Sequence, residues 1–234
     1  MNLSEKYNLE ILHEDNHTIV LNKKASDLVQ GDKTGDEPLP ERIKSYLKEK
    51  FDKPGNVFCG VVHRLDRPTS GALVFARTSK ALERLNEQFR EKETGKVYWA
   101  IVEKAPSKKT ERLVNWLAKN EQQNKSYVVK EGTKNAKQAI LTYHLIASSD
   151  KYYLLEIELE TGRHHQIRCQ LANIGCIIKG DLKYGAKRSN PDGSIHLHAR
   201  SLKFNHPTSK EEIKIIAPVP NDNLWQFFEK EIKS

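Results

Sequence analysis

Between Gln138 and Glu160 the side chains alternate, most clearly where Tyr153, Leu155, Ile157 and Leu159 interleave with Leu154, Glu156, Glu158 and Glu160. A period of two belongs to a strand with one buried face. Other strand-like stretches recur along the chain at Thr18–Lys23, Phe58–Arg64, Gly71–Arg77, Lys96–Glu103, His196–Asn205 and Glu211–Ala217. Helical spacing is expected over Arg42–Phe51 and in a run capped by Thr78 or Ser79, where Leu82, Leu85 and Phe89 recur and Gly95 is expected to end the helix. A short amphipathic helix is expected to carry Ile167, Leu171 and Ile174 up to Gly175, and Asp222–Ile232, with Leu224, Phe227 and Phe228, closes the chain as a helix. Ser26–Pro40 has no periodicity and many Gly, Asp, Lys and Pro residues, which predicts an exposed loop. Strands in consecutive runs, without strict strand–helix alternation, predict an α+β fold on an antiparallel or mixed sheet.

At 234 residues the chain makes one large domain or two small ones, long enough for a real core. The longest apolar runs, such as Val97–Val102, fall far short of the ~20 residues that span a bilayer as a helix. Met1–Lys6 shows no basic segment leading into an apolar one, so no secretory signal is expected and a cytoplasmic location is. Cys59, Cys169 and Cys176 are odd in number and form no CxxC pair, which argues against a disulfide framework or a zinc knuckle. Lys and Arg number 39 against 31 Asp and Glu, a net charge of +8. That surplus favours a polyanionic partner, since each phosphate neutralised releases counterions, and it equally fits a Lys-rich surface with no partner.

Two segments concentrate chemistry. In Gly60–Thr78, GVVHRLDRPTSGALVFART, one acid stands between two arginines in a Pro- and Gly-bounded loop. Flanked by Arg64 and Arg67, Asp66 is expected to stay ionised and suited to act as nucleophile or base, although an Asp in such a loop equally serves to bind backbone N–H groups. In Glu160–Gly175, ETGRHHQIRCQLANIG, the cations Arg163, His164, His165 and Arg168 crowd the start of the short helix, where the macrodipole disfavours them. An anion is therefore expected nearby, either a phosphate or an internal carboxylate. Arg168, beside the apolar stripe, is placed to pair with a partly buried acid through its bidentate fork. A solvated basic face is the simpler alternative.

No metal site is expected. Adjacent His164 and His165 point about 100° apart on a helix, and His196 and His198, which share a strand face, lack the partners of common zinc patterns. Neither GxxxxGK[ST] nor GxGxxG occurs, so no nucleotide cofactor is expected.

HRLDRPTSG at His63–Gly71, KVYWA at Lys96–Ala100 and TGRHHQIRCQLANIGCIIKGDLKYGA at Thr161–Ala186 together resemble the RluA-type family of RNA pseudouridine synthases, in the family's order and over most of the chain. The resemblance implies an α+β catalytic domain on a long mixed, mainly antiparallel sheet with a central cleft. It implies one such domain over residues 1–234, without the N-terminal S4-type domain of some relatives. Asp66 matches the family's essential aspartate, Tyr98 the tyrosine against the target uracil, Arg168 the arginine that pairs with the aspartate, and Arg64 an arginine that helps take the base out of the RNA stack. His63, Arg67, Arg163 and His165 are expected to contact RNA, His63 with a structural role as its alternative. The implied activity is isomerisation of uridine in ribosomal or transfer RNA by a monomer without a cofactor. A non-catalytic RNA- or ribosome-binding module on the same fold is the alternative, and a metal-dependent hydrolase using His196 and His198 a third. Two blocks depart from the family's pattern. NKKAS at Asn22–Ser26 has Lys24 and Ser26 where Pro and Gly are usual, in a block expected to be remote in role from the chemistry, and Ile177 replaces a usual Pro.

Overall fold

The computed structural model describes residues 2–31 and 35–233; residues 32–34 of the expected Ser26–Pro40 loop and Met1 of the N-terminal segment lie outside the described residues. In chain order the elements are α1 (Leu3–Lys6), β1 (Ile11–Glu14), β2 (Thr18–Lys23), α2 (Leu39–Lys50), β3 (Gly60–Val61), β4 (Ser70–Ala76), α3 (Ser79–Arg90), β5 (Gly95–Val102), β6 (Thr110–Asn120) and β7 (Lys125–Val129). They continue with β8 (Lys137–Ser148), β9 (Tyr153–Leu159), α4 (Gln166–Asn173), β10 (Leu197–Asn205), β11 (Glu212–Ile216) and α5 (Asn223–Lys233). The class is α+β. Two compact units each draw on two stretches of chain, Met1–Gly95 with Ala199–Pro218 and Lys96–His198 with Val219–Ser234.

In the first unit β2 pairs antiparallel with β1 and β4, β3 with β4, and β10 with β11. Every residue of β2 and β4 is buried, so the apolar stretches Ile19–Leu21 and Ala72–Ala76 within them do not alternate with polar residues. Val20, Ala72, Val74 and Ala76 from them pack with Ala81 and Leu85 of α3 and with Leu202, Phe204 and Ala217. The Thr78 hydroxyl caps α3 by accepting from the Ala81 N–H at 3.1 Å. Buried Gln88 on the same helix donates to the Asn205 carbonyl and accepts from its N–H, both at 2.9 Å, which closes the end of β10. The helix stops at Arg90, not at Gly95: Lys92 takes the left-handed turn at φ 61°, and Gly95 opens β5.

The second unit is an antiparallel sheet with strands in the order β5-β9-β8-β6-β7, in which β6–β7 and β8–β9 are the pairs consecutive in sequence. Trp99, Ile101 and Leu154 pack against Trp225 and Phe228 of α5, whose first turn is capped by the Asp222 carboxylate accepting from Leu224 and Trp225 N–H groups at 3.0 and 3.2 Å. The expected helix before Gly175 exists as α4 but is not amphipathic, because all six residues from Gln166 to Leu171 are buried. No helix among the described residues is long and apolar enough to cross a membrane.

Gly71 has no substitute. Its φ of 118° disfavours any side chain, and a Cβ there would meet the Ala199 backbone oxygen at 2.4 Å and nitrogen at 2.5 Å. Gly71→Ala is expected to cost about 3 kcal/mol and to lower Tm by roughly 6–12 °C, checked by calorimetry.

Candidate functional site

Asp66 lies in the first unit, in the bend between β3 and β4, where its carbonyl accepts from the Thr69 N–H at 3.0 Å. The bend is fixed from below by Lys23. This residue is 1% exposed, and its ammonium donates to the carbonyls of Thr69 at 2.7 Å, Arg67 at 3.0 Å and Lys24 at 3.0 Å. Three N–H donors meet three carbonyl acceptors, which satisfies a charge that would otherwise be costly to bury. Ser26, at φ 78°, adds a second tie through its N–H to the Arg67 carbonyl at 2.9 Å. The Asn22–Ser26 block, expected to be remote in role, is in contact with this bend: both ties end on residues beside Asp66. Ser26 also adopts the left-handed backbone that the usual glycine reaches without strain.

The remaining first-unit candidates differ in what they offer. Arg64 is exposed and donates to the Gln30 side chain, and Arg67 pairs with Asp36 at 2.5 Å. His63 is half-buried, accepts from the Val74 N–H at 3.2 Å and stacks on Phe89 with centroids 4.6 Å apart, so its position supports the fold.

Tyr98, Arg163, His165 and Arg168 belong to the second unit. Tyr98 is buried on β5, in register with Ile157 of β9. Arg168, 5% exposed, clamps Asp181, 1% exposed, by two parallel bonds: Nε to Oδ2 at 2.7 Å and Nη2 to Oδ1 at 2.8 Å. Asp181 is thus an internal carboxylate of the kind the cation crowding called for. Its position inside the sequence block gave no signal of that pairing. Arg168 Nη1 donates to His165 Nε2 at 3.0 Å, so the His165 proton sits on Nδ1 and points at the Tyr184 hydroxyl, 3.1 Å away. Tyr184 in turn exchanges hydrogen bonds with the Ser126 backbone at 3.0 and 3.1 Å. His165 is buried and stacks on His164 at 3.8 Å, while Arg163 is exposed and donates to the Gln138 carbonyl at 2.9 Å.

Other chemistries find little here. Burial pushes the Cys59 thiol up to about 12 and that of Cys169 up to about 11, so neither offers a thiolate at neutral pH. His196 is bonded on both ring nitrogens, to Asn190 at 2.9 Å and Asp222 at 3.2 Å, and His198 is fully buried against Trp225. Among the described residues no group of three or more His, Cys, Asp or Glu is arranged to hold a metal ion.

A family model described as RNA pseudouridylate synthase matches residues 17–173. The chain belongs to that family. The synthase is 31% identical over 223 residues to an RNA pseudouridine synthase of Bacillus subtilis (strain 168), covering 94% of this chain and 72% of the relative. To the ribosomal large subunit pseudouridine synthase D of Zymomonas mobilis it is 32% identical over 224 residues, 92% of this chain and 70% of that one. The solved structure of human RNA pseudouridylate synthase domain containing 4 matches 99% of this chain and 95% of its own with a TM-score of 0.79; at 23% identity it speaks for the fold. As a member of the RluA-type group the synthase is an isomerase that takes RNA as substrate and converts uridine to pseudouridine.

Removing either partner of the Arg168–Asp181 clamp takes two charge-assisted bonds out of the interior and leaves the other charge buried without them. Arg168→Ala and Asp181→Asn are each expected to cost ~3–5 kcal/mol in urea unfolding, with the double variant less than additive. Burial lowers the Lys23 ammonium to about 8 from its ordinary 10.5, with Asp27 and Asp66 opposing the shift. The unfolded chain then binds more protons than the native one between these values. The contribution of Lys23 to stability rises as pH goes from about 8 to 10.5, and the stability gap over Lys23→Met should widen across that window in urea titrations.

Proposed function

We propose that the synthase acts on ribosomal RNA and that the Asp66 carboxylate starts the reaction. The observation that carries the reading is the bend itself: a carboxylate among arginines, held on a backbone whose carbonyls at Arg67 and Thr69 are bound to a buried ammonium. Such a mounting spends little reorganisation when the group must meet a substrate atom. The relative named as a ribosomal large subunit synthase supports ribosomal RNA as the pool.

The reaction breaks the bond from ribose C1′ to uracil N1, turns the ring, joins C1′ to C5, and passes the C5 proton to solvent while N1 gains one. Electrons balance without an oxidant or reductant, so no redox cofactor is called for. Asp66 acts on the ribose, either by attack at C1′ to give an ester intermediate or by removing the C2′ proton to give a glycal. In this reading Tyr98 packs on the uracil and assists loss of the C5 proton, Arg168 serves as the supporting arginine that the family's site carries, and Arg64 aids extrusion of the base. Extrusion costs a few kcal/mol, which stacking and phosphate contacts offset. His63, Arg67, Arg163 and His165 complete the RNA-contacting set, the two buried or packed histidines by orienting their neighbours.

The test is tritium release from bulk RNA labelled at uridine C5. Wild type is expected to release it from ribosomal RNA, and Asp66→Asn to release none while its RNA affinity stays within a few-fold. Appreciable turnover by Asp66→Asn removes Asp66 from the chemistry. Release from transfer RNA alone reassigns the substrate.

A further inference from the structure

The second unit carries a cavity of about 540 Å³ that none of the residues discussed so far enters, lined by Glu103, Lys151, Tyr152, Lys179, Lys187, Arg188 and Ser189. Four cations face one acid. Lys151, Lys187 and Arg188 are exposed and form no ion pair among the described residues, whereas Arg112, Lys119 and Lys108 in the same unit are each matched to a glutamate. The Tyr152 hydroxyl also has no hydrogen-bond partner among the described residues, which leaves it available as a donor.

The basic wall is built, not draped. Asn190, 5% exposed, sits at its root: its Oδ1 accepts from Lys179 Nζ at 2.6 Å, and its Nδ2 donates to the Ser194 carbonyl at 3.0 Å and to His196 Nδ1 at 2.9 Å. Since Asn190 donates to Nδ1, the His196 proton lies on Nε2 and faces Asp222, 3.2 Å away. Gly180, at φ 87°, leaves the space Asn190 occupies, because a Cβ there would stand 2.8 Å from Asn190 Nδ2. At the other end of the segment, Asp181 is gripped by Arg168 and its backbone carbonyl accepts from Tyr184 and Ala186 N–H groups at 3.1 and 3.0 Å. Lys187, Arg188 and Ser189 therefore project from a stretch of chain fixed on both sides, and a ligand need not order it.

We propose that this cavity binds the phosphodiester backbone of the substrate RNA, outside the target uridine. The proposal rests on the RNA-directed activity of the synthase. Clustered unmatched cations with hydroxyl donors suit a phosphate oxygen, and an excess of three positive charges exceeds what a single carboxylate ligand would call for. A cavity of this volume also has room for the sugar between two phosphates.

The experiment compares Lys151→Gln/Lys187→Gln/Arg188→Gln with a control that loses the same charge from the first unit, Lys80→Gln/Lys92→Gln/Lys214→Gln. Binding of labelled ribosomal RNA is followed by fluorescence anisotropy across salt concentrations, beside tritium release at saturating RNA. The cavity variant is expected to bind about tenfold more weakly at low salt, with a salt slope shallower by about 2 if each cation neutralises one phosphate of a single strand. Its kcat and melting temperature are expected to match wild type, and the control to keep the wild-type slope.

A cavity variant with the wild-type slope overturns the proposal, while tritium release by wild type in the same assay leaves the activity standing. Equal losses in the control assign the effect to diffuse surface charge and overturn it as well. A fall in kcat at saturating RNA places the three residues in the chemistry instead. Uridine 5′-monophosphate at millimolar concentration that binds wild type but not the cavity variant, and displaces no RNA, makes the occupant a free nucleotide and overturns the proposal.

Discussion

A guanidinium and a carboxylate buried together hold the second unit to one arrangement. Two charges removed from water gain little net stability from each other, yet each makes the other's displacement costly, so the pair specifies position more than it adds stability. Arg168 fixes α4 against the chain around Asp181, His165 passes the constraint to Tyr184, and Tyr184 passes it to the backbone of β7 at Ser126. Along this chain the bond from Arg168 to His165 Nε2 fixes the histidine tautomer, so the imidazole proton is directed at Tyr184. From the same anchor the chain runs through Gly180 to Asn190, so the basic cavity inherits its rigidity from a residue that does not line it.

The first unit solves a similar problem with different chemistry. Lys23 is enclosed as deeply as Arg168, but its partners are backbone carbonyls, and a tetrahedral ammonium suits three separate dipoles better than a planar fork does. Carbonyls do not neutralise the charge, so it remains as a positive potential under the bend. Burial lowers the proton affinity of Lys23, and the nearby carboxylates of Asp27 and Asp66 recover part of the loss. An acid on a surface bend is thereby coupled to the interior of its own unit.

What the sequence made legible follows from the range of each interaction. β2 emerges over Thr18–Lys23 and the Thr78 cap of α3 where local patterns put them, because propensity and capping act within a few residues. The hairpin of β6 and β7 was not anticipated: only Leu113 and Leu117 of β6 are buried apolar side chains, Val114 is exposed, and the alternation is lost among Lys, Asn and Gln. α4 resembled an amphipathic helix because Gln166, Arg168 and Gln170 are polar, yet all three are buried with partners from distant positions such as Ile140, Asp181 and Asn115. For the site, the acidic bend and the anion beside Arg168 were visible as charge patterns. The identity of that anion and the role of Lys23 were not, since both depend on contacts 13 and 46 residues apart in the chain.

The discontinuous make-up of the two units bears on how the protein is born. The core of the first unit includes Leu202, Phe204 and Ala217, which leave the ribosome only after nearly all of the second unit has been made. At ~5–20 residues per second the hundred or so intervening residues take roughly 5–20 s, during which β2 and β4 are present without that part of their packing. The N-terminal stretch must therefore wait, partly unfinished, for the C-terminal one. Nascent chains are then exposed to chaperones and proteases through the first-unit strands, and a translational pause before Ala199 prolongs that exposure more than a pause after it.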